Sequence, residues 1–191
     1  MAASATPLEL IHGFDDAVDR VVRPLQDETT FGAVIWTVGT ACEVALLGAL
    51  AVEAIRRRTA RSMRRLLAPV AFERLVVHGM GPVVDRNRPA RRGERPANIG
   101  PSSSSMPSGH TSSPFLAASL LARGRGTGLV AFALAGVAAA SRLLLRVHRP
   151  SDVALSALAG VVVGRAVVRW DGDDGPDDQR TVVVHEPAPR S

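Results

Sequence analysis

The chain has 191 residues, enough for one domain, with 46% hydrophobic residues, 4% aromatic residues and a net charge of +5. All 23 basic residues are arginines. They flank apolar runs and lack the interleaved aromatic rings that stack on bases, which disfavours a nucleic-acid binder and favours an anionic lipid surface as the partner. The single cysteine, Cys42, excludes an internal disulfide and a cysteine-rich metal site.

The first predicted element is an amphipathic helix over residues 8–25, where apolar positions recur at roughly helical spacing. We expect this helix to lie at a membrane interface, and we expect no cleavable signal peptide, because no apolar core occurs in this part of the chain. The strongest predicted membrane span follows at residues 31–55, since about 20 mostly apolar residues cross a bilayer. Glu43 lies near the middle of this span and should face another helix, because a carboxylate that faces lipid is costly.

The next segment, 56–65, contains six arginines and no acid, which predicts a cytoplasmic loop under the positive-inside rule. Residues 66–84 form a poorer span, because Glu73, Arg74 and His78 interrupt it, and they fit a helix packed inside a bundle. A polar loop rich in Pro, Gly, Ser and Arg is predicted over residues 85–108.

Three further helices are predicted after this loop, over residues 108 to about 123, 127–143 and 151–170. The tail, 171–191, is rich in Asp and Pro and is predicted to be disordered. The predicted fold class is therefore all-α, a polytopic transmembrane helical bundle of about five spans plus the N-terminal amphipathic helix. Its divisions are an interfacial segment at 1–30, a transmembrane domain at 31–170 and the acidic tail.

Successive spans cross the membrane in opposite directions, so the side on which one loop lies predicts the side on which every other loop lies. If the 56–65 loop is cytoplasmic, residues 85–108 and 141–149 both lie outside, and residues 165–169 lie inside. Five arginines in the 85–108 loop make this a preference only. Arginine-only usage is typical of high-GC bacterial coding, so the expected location is a bacterial inner or plasma membrane, crossed several times.

A candidate anion site begins at Pro107-Ser108-Gly109-His110, at the start of a predicted helix. Ser108 is a suitable N-cap, and Gly109 lets an anion approach the backbone N–H groups of the first turn. His110 would lie beside that anion. Its unperturbed pKa of about 6.5 suits proton transfer near neutral pH.

A second stretch begins at Ser141-Arg142 and continues through His148 to Asp152. Arg142 ends an apolar helix, and its planar donor fork matches phosphate oxygens. Asp152 lies in the first turn of the last helix, within reach of the His148 ring. A carboxylate on one ring nitrogen fixes the tautomer and leaves the other nitrogen free to attack phosphorus. On the topology above, both stretches lie on the extracytoplasmic face.

These two stretches resemble motifs of the phosphatidic acid phosphatase type 2 superfamily, which also includes vanadium haloperoxidases and bacterial acid phosphatases. PSGH at 107–110 and SR-x5-H-x3-D at 141–152 match at every defining position and in the right order. The likeness covers roughly residues 66–170. The multi-span form with short loops is similar to the integral-membrane lipid phosphatase branch.

The resemblance implies a role for each matching residue. His148 is the nucleophile, Asp152 orients it, and His110 protonates the leaving oxygen and later activates water. Phosphate binding is assigned to four matching positions: Arg88, Ser108, Gly109 and Arg142. The resemblance implies no metal and no other cofactor.

The family's first motif, Lys/Arg-x6-Arg-Pro, is only partly present in this chain. Arg88 and Pro89 supply its end, but its opening cation belongs at position 81, where this chain has Gly81. Arg86 or Arg74 could act as the auxiliary cation. Losing one phosphate donor would cost ~3 kcal/mol of transition-state stabilisation, so weak activity, altered head-group choice and a pseudoenzyme all stay open.

The predicted function is hydrolysis of a lipid phosphate or diphosphate through a phosphohistidine intermediate. Polyprenyl phosphates or diphosphates of bacterial envelope synthesis are the first choice, and phosphatidylglycerophosphate or phosphatidate is the alternative. A hypothesis of another class is a non-catalytic membrane protein that binds a lipid head group. The sequence leaves the oligomeric state open.

Overall fold

The computed structural model describes residues 6–26, 31–57, 60–84, 86, 88–89, 104–122 and 125–173. These residues form six helices and no strand. The helices, in chain order, are α1 (Pro7–Gln26), α2 (Gly32–Arg57), α3 (Ala60–Val84), α4 (Gly109–Leu121), α5 (Arg125–Leu144) and α6 (Pro150–Asp173). The predicted all-α fold is therefore confirmed.

Three of the described helices are long and apolar enough to cross a membrane, over Gly32–Arg56, Gly126–Leu144 and Pro150–Trp170. The other two predicted crossings correspond to α3 and α4. Arginines and Glu73 interrupt α3, and α4 has 13 residues, about 20 Å of helix, which is short for a bilayer core of about 30 Å. The polytopic helical bundle is confirmed, and three of its spans meet the length and composition of a crossing.

Two predicted boundaries differ from the structure. The segment 56–65 was expected to be a loop, but α2 continues through Arg57 and α3 begins at Ala60, so most of it is helical. Arginine has a high helix propensity, and its charge can reach polar surroundings from a helix end. Similarly, α6 continues to Asp173, three residues into the predicted tail, while 174–191 lies outside the described residues. So does most of the predicted 85–108 loop.

Helix α4 forms the centre of the bundle and packs against α2, α3, α5 and α6. Its apolar side chains meet those of α2 and α5 in one buried cluster: Leu46, Leu50, Leu116, Ala117, Leu120, Ala131 and Ala135. Burying these side chains contributes roughly 1.5–3 kcal/mol for each Leu. Because this short helix has neighbours on several sides, its N-terminus, Gly109-His110, lies at one end of the bundle among the ends of other helices.

The contact between α4 and α6 is a close approach of two backbones. A Cβ atom at Gly160 would overlap the Ser112 carbonyl oxygen, and one at Gly164 would lie 2.5 Å from the Ser119 Cβ. Glycine at these two positions, four residues apart on one face of α6, allows this approach. The first turn of α4 therefore lies directly beside the middle of α6.

Helix α1 packs across the same end of the bundle through a buried carboxylate. Asp15 is 2% exposed. It accepts hydrogen bonds from Ser151 N at 2.7 Å and Ser151 Oγ at 2.9 Å, at the N-terminus of α6. Five large apolar side chains of α1 are exposed: Leu8, Leu10, Phe14, Val21 and Leu25. The predicted amphipathic helix is confirmed, and its place at a membrane interface stays a prediction.

Candidate active site

The structure brings the two sequence motifs together at one end of the bundle. Ser108 N, just before α4, donates to Ser156 Oγ of α6 at 2.8 Å. His148, in the turn between α5 and α6, donates from Nδ1 to the Ser105 carbonyl oxygen at 2.6 Å. That turn reverses the chain through Arg146, which has a left-handed φ of 53°. The motif end of the bundle, defined by Ser104–His110 and Val147–Asp152, is therefore one packed unit.

His148 has the protonation state of a nucleophile. The residue is 5% exposed. Burial lowers the pKa of His148 to about 4; the positive charge of Arg88 adds to this shift, and the Ser105 hydrogen bond and Asp152 oppose it. The ring is therefore neutral at pH 7. Because a carbonyl can only accept, Nδ1 carries the proton and Nε2 keeps its lone pair.

Asp152 does not make the hydrogen bond to His148 that the sequence predicted. Its carboxylate forms an ion pair with Arg86 and accepts a hydrogen bond from Arg149 N at 2.9 Å. A carboxylate in the first turn of a helix is readily held by nearby backbone N–H groups. The Ser105 carbonyl oxygen contacts His148 Nδ1, the atom at which the Asp152 carboxylate was expected. Asp152 acts on His148 through its charge, which raises the pKa of the ring.

Arg88 and Arg142 make contacts with different elements near the motif end. Arg88 donates to the Val147 carbonyl at 3.0 Å and thereby links the first motif to the turn that carries His148. Arg142, buried in the last turn of α5, donates to Thr40 Oγ1 at 3.3 Å, and its Nε has no partner among the described residues. A buried guanidinium group whose Nε has no partner among the described residues, as in Arg142, is suited to receive an anion.

Glu43 joins this cluster from α2, which sequence reasoning did not assign to the site. Its carboxylate accepts from His110 Nδ1 at 2.8 Å and from Arg74 at 2.9 Å, and Arg142 lies 3.8 Å away. The prediction that Glu43 faces another helix is confirmed. The signal that could have placed Glu43 in the site was the cost of burying its charge, because a mid-span acid must find cations or hydrogen-bond donors and the motifs supply both.

Two features of the α4 N-terminus bear on anion binding: its N-cap residue, Ser108, and the Arg74 side chain that packs against its first turn. Ser108 occupies the N-cap position but makes no capping hydrogen bond; its Oγ lies 3.1 Å from Thr111 Oγ1. A Cβ atom at Gly109 would lie 3.2 Å from an Arg74 guanidinium nitrogen. The Arg74 side chain therefore lies against the first turn of α4, where backbone N–H groups are available to an anion.

An apolar cavity of about 190 Å³ lies between α3 and α6, beside the motif end. Its walls include six apolar side chains: Phe72, Val76, Met80, Met106, Leu155 and Val163. Glu73 also borders it, but this carboxylate accepts hydrogen bonds from Ser112 and from Ser113, the latter at 2.6 Å. The cavity therefore offers an almost wholly apolar surface next to Ser108.

The family model of the PAP2 superfamily matches residues 63–176. The chain belongs to the PAP2 superfamily. The decaprenylphosphoryl-5-phosphoribose phosphatase of Mycobacterium tuberculosis, from two strains, is 38% identical over 129 residues, which are 65% of this chain and 67% of that protein. A crystal structure of a transmembrane PAP2-type phosphatidylglycerolphosphate phosphatase from Bacillus subtilis matches the fold with a TM-score of 0.67. The match covers 88% of this chain and 89% of the B. subtilis chain, at 20% sequence identity.

As a PAP2 protein, the chain is a phosphate ester hydrolase with a polytopic helical fold. Its departure from the PAP2 pattern at Gly81 falls in the last turns of α3. Of the two candidate replacements, Arg86 is held by Asp15 at 2.8 Å and by Asp152, with a further bond to Ser151. Arg74 lies instead between Glu43 and the α4 N-terminus. Of the two, Arg74 is therefore the one whose guanidinium lies against the first turn of α4.

Proposed function

We propose that this protein hydrolyses a lipid phosphate or diphosphate through a phosphohistidine intermediate on His148. The observation that supports this most directly is the state of the His148 ring, which is buried and neutral with its Nδ1 proton held by the Ser105 carbonyl. An imidazole fixed in this way presents the Nε2 lone pair as a nucleophile at neutral pH.

In the first step, Nε2 of His148 attacks phosphorus while the bond to the lipid oxygen breaks. The leaving oxygen takes a proton from Nε2 of His110, whose side chain is 54% exposed and held at Nδ1 by Glu43. Neutral His110 then accepts a proton from water as the water oxygen attacks phosphorus, and the bond between phosphorus and Nε2 of His148 breaks. The products are a lipid alcohol, or a monophosphate from a diphosphate, and inorganic phosphate.

Phosphate binding uses donors that the fold holds in advance of the reaction. Arg88, Arg142 and Arg74 supply guanidinium groups, and the α4 N-terminus supplies Ser108 and the Gly109 N–H. Fixed donors around a phosphoryl group stabilise the charge of the transition state without reorganisation. Asp152 stays part of the site by its charge on His148, and Arg86 keeps that carboxylate in place.

A polyprenyl lipid is the substrate that we propose. The relative from M. tuberculosis is named for a decaprenyl lipid that carries phosphate. The apolar cavity supports a lipid, because its wall includes Met106 and Pro107, directly before Ser108. A lipid whose apolar chain occupied this cavity would have its phosphate group at the motif end. We further propose that this end faces the extracytoplasmic side of a bacterial cell membrane.

The test is phosphate release in detergent from polyprenyl phosphate, polyprenyl diphosphate, phosphatidylglycerophosphate and phosphatidate. We expect the polyprenyl substrates to be preferred and His148→Ala to abolish release. His78→Ala, which changes an exposed histidine of α3, serves as the matched control. Equal release by wild type and His148→Ala would contradict the mechanism. Substrate binding without any release by wild type would support the non-catalytic class instead.

A further inference from the structure

Glu43 is a buried carboxylate in the middle of a membrane-spanning helix. It is 5% exposed and lies on α2 within the candidate span Gly32–Arg56. An acid at this depth is costly unless cations and hydrogen-bond donors compensate it. Its contacts identify which groups compensate the charge and therefore what the carboxylate holds in place.

The compensating groups all belong to the phosphate site. His110 Nδ1 of α4 lies 2.8 Å from one carboxylate oxygen, and Arg142 of α5 lies 3.8 Å from the same oxygen. Arg74 of α3 lies 2.9 Å from the other oxygen. One side chain of α2 therefore contacts three candidate site residues from three different helices.

Glu73 shows that a buried acid in this bundle does not require such partners. It is 7% exposed, comparable with Glu43, yet its oxygens accept from the hydroxyls of Ser112 and Ser113. Neutral donors therefore suffice to hold a carboxylate inside this fold. The choice of a histidine and two arginines around Glu43 points to a role in the reaction.

We infer that Glu43 is a positioning residue that sets the tautomer and orientation of His110. A carboxylate can only accept at Nδ1, so Nδ1 carries a proton and Nε2 is the atom that gives and takes the catalytic proton. The negative charge also stabilises the imidazolium that donates to the leaving oxygen, as an orienting acid does in other histidine enzymes. This inference rests on the proposed function, since it assigns Glu43 to that same reaction.

The first test compares two substrates with different leaving groups, and it thereby distinguishes a positioning role of Glu43 from structural damage. A nitrophenolate leaves without a proton, whereas an alkoxide needs one, so loss of the general acid matters for alkyl phosphates only. With enzyme in excess over substrate, Glu43→Gln should slow alcohol release from an alkyl phosphate by about 100-fold and nitrophenol release by less than about threefold. Glu53→Gln, ten residues further along α2, is the matched control and should behave like wild type. Equal slowing of both substrates would overturn the inference.

The second test asks whether Glu43 acts through His110. If it does, Glu43→Gln should add less than about threefold to the loss already caused by His110→Ala, because effects within one unit are not additive. Independent, multiplying losses would overturn the inference. If wild type itself releases no phosphate, the proposed function fails before this comparison is made.

A measurement on the unsubstituted protein covers the case in which Glu43→Gln does not fold. Nitrogen-15 NMR of histidine-labelled protein reports which ring nitrogen carries a proton, and the His110 signals are those missing from His110→Ala. We expect protonated Nδ1 and unprotonated Nε2 in the neutral ring. A proton on Nε2 with bare Nδ1 would overturn the inference.

Discussion

At the scale of single residues, the site depends on what each charged group is paired with. His148 has its Nδ1 proton held by a backbone carbonyl, whereas His110 has the same atom held by a carboxylate. The first arrangement favours a neutral ring with a free lone pair, and the second supports a ring that gains and loses a proton. Two histidines of one site thus suit different roles because of their different partners.

The low pKa of His148 predicts how stability changes with pH. The folded state keeps this ring neutral to about pH 4, whereas the unfolded state protonates it near its ordinary value of 6.5. Stability that is present above pH 6.5 is therefore lost as the pH falls towards 4, by roughly 1.4 kcal/mol per pH unit. Wild type should lose more thermal stability in detergent between pH 7 and 5 than His148→Asn. Parallel curves for the two proteins would contradict this assignment.

The position of Arg74 predicts that it replaces the cation missing at Gly81. Arg74→Ala should lower kcat/KM for a lipid phosphate by about 100-fold, the usual effect of removing one donor to a developing charge. Arg64→Ala, at an exposed arginine of the same helix, should leave kcat/KM unchanged. In the Arg74→Ala chain, Gly81→Arg should recover part of the loss. An Arg74→Ala protein with wild-type kcat/KM would show that Arg74 does not bind the phosphate.

At the scale of helices, the site depends on how closely α4 and α6 approach. Their N-termini carry His110 and Asp152, and Gly160 and Gly164 let the two backbones meet. A shift of either helix would therefore move one half of the site against the other, and a displacement of about 1 Å can cost about 100-fold in rate.

The same contact predicts the effect of one added methyl group. Gly160→Ala should destabilise the bundle by about 1–3 kcal/mol, because the new Cβ overlaps the Ser112 carbonyl and α6 must move away from α4. Gly136→Ala on α5 is the control, since a Cβ there meets nothing within 4 Å. Thermal unfolding in detergent and phosphate release should both fall for Gly160→Ala. Wild-type values for both would show that α4 and α6 are less tightly packed than described.

At the scale of the whole molecule, the alternating spans predict which side of the membrane each end of the bundle faces. In a Cys42→Ala background, a cysteine replacing Arg146 should react with an impermeant maleimide added to intact cells. A cysteine replacing Arg169, at the other end of α6, should react only after permeabilisation. Reversal of this pattern would place the motif end in the cytoplasm and would contradict the positive-inside assignment.

The sequence predicted the helices well and the contacts between them less well. Apolar periodicity placed the helices near their observed bounds, and the PSGH and SR-x5-H-x3-D motifs identified residues that the fold brings together. The sequence pattern did not assign Glu43 to the site, because the partners of this carboxylate, Arg74 and His110, lie 31 and 67 positions away along the chain. It also paired Asp152 with His148, because the competing partners Arg86 and Ser105 are set by tertiary packing.

The bond between Ser151 N and Asp15 joins residues 136 positions apart, in the first and last of the described helices. A nascent chain that has inserted α1 to α5 already contains Arg88, Ser108 and His110, but Asp15 has no α6 terminus to hold. The ribosome must therefore deliver almost the whole domain before the motif end can close. The motif end is therefore complete only when α6, which carries Ser151 and Asp152, has been added to the bundle.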